Sequence, residues 1–74
     1  EDTLFDLLDR FCGIYIDMNC KEIAINYNNM SREKAVNDKR LMALVYLNRA
    51  KIYFLRDFDL AATSLLKVQE LLMD

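Results

Sequence analysis

Apolar side chains recur along this chain at the three- and four-residue spacing of a helix, in four stretches parted by short polar breaks. The first stretch, roughly Thr3 to Met18, puts Leu4, Leu7, Leu8, Phe11, Cys12, Tyr15 and Ile16 on one face, with Asp2 or Thr3 as its cap and Asp6 at the positive end of the helix dipole. Asn19 interrupts the pattern, and with Glu22 it predicts a capping box for a second helix from about Cys20, striped by Ile23, Tyr27 and Met30. The next break falls at Asn37-Asp38. Asp38 is the expected N-cap of a third helix, about Lys39 to Leu55, whose apolar positions Leu41, Leu44, Val45, Leu47, Ala50, Ile52, Tyr53 and Phe54 span an arc wide enough for packing on two sides. After Arg56-Asp57, with Asp57 as cap, a fourth stripe runs Ala61, Leu65, Val68 and Leu72, with Leu71 beside it. Connections this short force neighbouring helices to be antiparallel, so the pattern predicts an all-α domain over residues 1–74 made of two helical hairpins.

The two halves are also weak copies of each other. Laid without gaps over Leu41–Gln69, the segment Thr3–Ser31 places Ile14 on Ile52, Tyr15 on Tyr53, Ile16 on Phe54, Cys20 on Phe58, Ala24 on Ala62, Tyr27 on Leu65 and Met30 on Val68, an offset of 38 residues. A repeat of this length implies supersecondary units that cannot each bury a core alone and so stack on one another, with repeat 1 at about 3–36 and repeat 2 at about 39–73.

Composition sharpens this picture. With 54% apolar residues, no Pro and a single Gly, little punctuates strands or long loops. At 74 residues the chain buries only about 60% of the surface its unfolded form exposes, so further repeats or a partner are expected to help it. It opens at Glu1 with no initiator Met, which fits a fragment or a processed product. Two cysteines among apolar neighbours and no histidine argue against a zinc site or a disulfide framework, and a cytoplasmic or nuclear setting is expected. No stretch has the length and apolar character of a membrane span, so no membrane insertion is expected. Charge is uneven: residues 1–20 sum to −4, residues 21–56 to +5 and residues 57–74 to −3. The basic middle lacks the interleaved aromatics and the high pI of a nucleic-acid surface, so no nucleic acid is expected as partner.

The segment Tyr46–Val68, YLNRAKIYFLRDFDLAATSLLKV, resembles the tetratricopeptide repeat. Tyr46, Ala50, Tyr53, Ala61, Leu65 and Val68 fill that family's places for large, small and aromatic residues, with a turn one residue short. In the first copy Leu8, Phe11, Cys12, Tyr15, Ile23, Tyr27 and Met30 take the equivalent places, with Ile23 where a small residue belongs. The chain departs from the family in its 38-residue spacing, where 34 is usual, and in lacking the repeat-ending Pro. The resemblance implies two stacked hairpins, part of a right-handed superhelix, in which small Ala50 and Ala61 let backbones approach while Tyr53 and Phe58 fill the angle between helices. The stretch Tyr46–Phe54 is also similar to three-helix microtubule-interacting-and-transport bundles, which leave no role for the stripe after Asp57.

From these features we expect a non-enzymatic scaffold or adaptor that binds another protein, as peptide or helix, in a concave face lined by the first and third helices. Its expected contacts are Leu44, Leu47, Asn48, Lys51 and Phe54, with Asp9, Gly13 and Asp17 from the first copy. Two alternatives stay open: a self-associating or capping segment of a larger helical assembly, motivated by the broad third stripe, and, as the likeness of Asn48-Arg49-Ala50 to co-chaperone members of the family implies, a clamp in which Asn48, beside cationic side chains such as Arg49, holds the acidic terminus of a heat-shock chaperone. No histidine, phosphate-binding loop or nucleophile motif is present, so neither catalysis nor a cofactor is expected.

Overall fold

A computed structural model of the chain describes residues 3–54 and 56–73, and over these the backbone forms four helices joined by short turns, with no strand. The elements are α1 (Thr3–Asp17), α2 (Lys21–Lys34), α3 (Lys39–Tyr53) and α4 (Phe58–Leu72). The fold is all-α, as the periodicity predicts. The expected roles of Asp2 and Leu55 fall on positions outside the described residues.

Two helix starts are set by the expected aspartates. Asp38 Oδ1 accepts the backbone N–H groups of Arg40 and Leu41 at 3.0 and 3.1 Å, and Asp57 Oδ1 accepts that of Leu60 at 3.2 Å. The α1–α2 junction is built differently from the capping box expected at Asn19. Asn19 adopts a left-handed backbone, φ 62°, and closes α1 rather than opening α2. The Cys20 N–H bonds back to the Tyr15 carbonyl at 2.8 Å and the Asn19 N–H to that of Ile16 at 2.9 Å, the two bonds of a Schellman ending. Cys20 then precedes α2 without a side-chain cap, and Thr3 is itself helical rather than a cap.

Both middle helices stop earlier than expected. At the end of α2 the buried Ala35 N–H bonds to the Ser31 and Arg32 carbonyls, each at 3.1 Å, and the Asp38 N–H to Ala35 at 2.9 Å, so the chain turns before Asn37. At the end of α3 the N–H groups of Arg56 and Asp57 converge on the Tyr53 carbonyl at 2.9 and 2.8 Å.

α1 packs on α2 and α3 on α4, while α3 also touches α1 and α2; α4 meets α3 alone among the described helices. One buried cluster joins Phe5, Ala35 and Val45, and a second joins Cys12, Ala24 and Ile52 with Tyr15, Ile16, Ile25 and Tyr27 around it. The wide apolar arc of α3 thus packs on more than one side, as its breadth predicts.

The buried stripes correct several expectations. α1 buries Phe5, Leu8 and Cys12 and leaves Leu4, Leu7 and Phe11 exposed, because its apolar arc is wider than the surface α2 and α3 cover. α2 buries Ala24, Asn28 and Ser31 rather than Ile23 and Met30, since small side chains let α1 and α3 approach closely. α4 buries Ala61 and Ser64, half-buries Val68 and Leu71, and exposes Leu65 and Leu72. Ala50 and Ala61 are both buried as expected, but Phe58 is 69% exposed and fills no interhelical angle; its ring lies 5.9 Å from that of Phe54.

Candidate partner-binding face

Because three neighbours occupy the rest of its circumference, α3 keeps a single free stripe. Leu44, Leu47, Lys51 and Phe54 follow one another at helical spacing along it, and all four are exposed. Asp9, Gly13 and Asp17, four residues apart on α1, form the matching line on the neighbouring helix.

One bond brings the two lines together. Asn48 Nδ2 donates to Asp9 Oδ1 at 2.8 Å, joining α3 to α1, and Asn48 itself is only 8% exposed. Burial raises the Asp9 carboxyl above its ordinary value of 3.8; the Asn48 amide and the Lys51 ammonium pull it down, and Asp6 pushes it up. Asn48 is therefore a bridge within the chain, with one N–H of its amide donated to Asp9 and the side chain nearly buried.

Arg49, next along α3, is equally committed. Its Nε donates to Asn28 Oδ1 and its Nη2 to Asn29 Oδ1, both at 2.7 Å, and its guanidinium lies 5.9 Å from the centre of the Tyr46 ring. Asn28, 1% exposed, completes the junction by donating Nδ2 to the Val45 carbonyl at 3.0 Å, while the Ser31 hydroxyl donates to the Asn28 carbonyl at 2.9 Å. α2 and α3 are thus fastened by a satisfied polar cluster.

Two clefts meet at the end of the α3 stripe. One, of about 260 Å³, is lined by Leu47, Ala50, Lys51, Phe54 and Leu65; the other, of about 150 Å³, by Ile16, Asn19, Lys21, Lys51, Ile52 and Phe54. Lys51 and Phe54 stand on the ridge between them. Of the sequence-predicted residues, Leu47, Lys51 and Phe54 come together here; Leu44, Asp9, Gly13 and Asp17 line neither cleft, and Asn48 lies beneath the face. A Cβ built on Gly13 would meet nothing within 4 Å, so the backbone there is open to an approaching chain. Leu65, Ile16 and Lys21 are lining residues that the sequence reading did not assign to this face; for Leu65 the helical pattern pointed instead to the core.

The cysteines do not form a reactive pair. Cys12 is buried and donates Sγ to the Ala24 carbonyl at 3.4 Å, and burial, followed by the charge of Asp9, pushes its thiol up to about 11. Cys20, half-buried, turns its Sγ to the Met18 carbonyl at 3.7 Å. Among the described residues no three potential metal ligands converge, and no helix is long and apolar enough to cross a membrane.

Compared with known proteins, the chain matches no family model, no curated protein and no solved structure.

Proposed function

We propose that the chain is a non-enzymatic interaction module: two tetratricopeptide-like antiparallel hairpins whose α1–α3 face holds a peptide or helix of another protein in a cytoplasmic or nuclear setting. The observation that carries this reading is the exposed Leu47–Lys51–Phe54 ridge with an apolar cleft beside it, a shape suited to one aliphatic or aromatic anchor from a partner. The contacts support the hairpin reading: Phe5 at the start of α1 packs with Ala35 just past the end of α2, Cys12 late in α1 packs with Ala24 early in α2, and among the described helices only α3 joins the two halves. An acidic-tail clamp built on Asn48 and Arg49 draws no support from this arrangement, because both side chains are bonded within the chain.

The test is a peptide-display selection against the immobilised chain, repeated with Leu47→Glu and Phe54→Ala. Both positions are exposed, so helicity is retained while binding of the selected peptides falls by about tenfold or more. Peptides bound equally well by both variants would end the reading.

A further inference from the structure

Leu4, Leu7, Phe11, Ile14 and Met18 follow one another at alternating spacings of three and four along α1 and the turn after it, and all five are exposed. The α2 flank of this seam is apolar as well, since Phe11 and Tyr27 are in ring contact at 5.4 Å and Ile23 and Met30 are exposed on α2. These seven aliphatic, sulfur-containing and Phe side chains are between 41% and 60% exposed. They amount to about 600 Å² of bare apolar surface, at the upper end of what a monomer leaves uncovered.

The internal repeat shows what such positions do. Thirty-eight residues on, Leu4, Leu7, Phe11 and Ile14 correspond to Met42, Val45, Arg49 and Ile52 of α3. Three of those four meet α2: the Val45 carbonyl accepts from Asn28, Arg49 bonds Asn28 and Asn29, and Ile52 packs with Ala24. The face on α1 is therefore a helix-packing face without its helix among the described residues.

Charge identifies the occupant. On the rim away from α2 stand Arg10 and Asp17, seven residues apart, both exposed, and neither in an ion pair among the described residues. We propose that two copies of the chain pair through α1, antiparallel about a two-fold axis, with Arg10 of each copy against Asp17 of the other. In that register Phe11 of one copy layers on Ile14 of the other, Leu7 on Met18, and the rim pairs close twice. A parallel pairing would set Arg10 opposite Tyr15 and leave it without an acid. Two such patches, wholly covered, bury at most about 1,200 Å², which only reaches the lower bound for a stable specific interface, so a reversible dimer is expected. The proposal does not rest on the partner-binding reading, although Asp17 borders both surfaces.

Sedimentation equilibrium of the wild type, Ile14→Asp, Arg10→Asp, Asp17→Arg and the double variant Arg10→Asp/Asp17→Arg tests it, with circular dichroism confirming that each is folded. A monomer–dimer equilibrium is expected in the wild type, lost in Ile14→Asp and weakened about tenfold by either single charge reversal. The double variant, with both charges exchanged, restores dimerisation towards the wild-type constant. A wild type that stays monomeric at the highest attainable concentration overturns the proposal and leaves the seam to another protein's helix. A dimer indifferent to Ile14→Asp, or one that the double exchange fails to rescue, overturns it as well.

Discussion

The amide of Asn48 donates to the carboxylate of Asp9 at 2.8 Å, and the same bond that holds α3 against α1 keeps a charge partly out of water. Asp9→Ala leaves that amide nearly buried and unpaired and is expected to cost about 1–3 kcal/mol. Asp9→Asn retains an acceptor without the charge that burial penalises, so it unfolds in urea at the same or a higher midpoint at neutral pH. Because the Asp9 carboxyl is raised, the folded chain takes up its proton before the unfolded chain does as pH falls. The wild type therefore gains stability relative to Asp9→Asn on mild acidification; parallel pH profiles would contradict the assignment.

Asn28 is the polar centre of the α2–α3 contact. Replacing it with Ala removes the donor to Val45 and one acceptor of Arg49, and thermal unfolding should report a loss of about 2–3 kcal/mol. A double-mutant cycle with Arg49→Ala is expected to give a coupling of about 1–2 kcal/mol, and additive losses would show that the two side chains act separately.

Gly13 lies within α1 with open space where a Cβ would stand. Gly13→Ala should stabilise the chain by about 1 kcal/mol and raise Tm by about 4–8 °C. If a partner's backbone passes over this position, the same variant binds displayed peptides less well while melting higher, a combination that misfolding would not produce.

The Cys12 thiol, pushed up from its usual 9.0 to about 11, holds its proton in the folded state where the unfolded chain has lost it. Stability then falls as pH climbs from about 9 towards about 11, and the Cys12→Ala variant shows a shallower alkaline slope in the same titration. A thiol reagent at neutral pH should modify Cys20 well before Cys12.

The positions of Asp38 and Asp57 were legible because an aspartate before an apolar run has one local use, accepting the free N–H groups of a helix start. Asn19 was not, since asparagine suits both an N-cap and a left-handed ending, and only the bonds from Cys20 and Asn19 back into α1 decide between them. Hydrophobicity picked Ile23 and Met30 on α2, whereas close packing selected Ala24, Asn28 and Ser31; the burial of Asn28 depends on Val45 and Arg49, which lie on another helix. The same holds for the candidate face. Leu47, Lys51 and Phe54 share a stripe of one helix and could be grouped from spacing, but Leu65 reaches their cleft only through the crossing of α3 and α4.

With Leu60, Leu65, Leu66 and Leu72 turned to solvent and α3 as its only neighbour among the described helices, α4 is held from one side. A helix anchored in this way opens as a unit of its own, at a free energy below that of global unfolding. Its amides accordingly exchange with deuterium through a state in which the junction of α1, α2 and α3 is still closed, and peeling starts at this end of the stack.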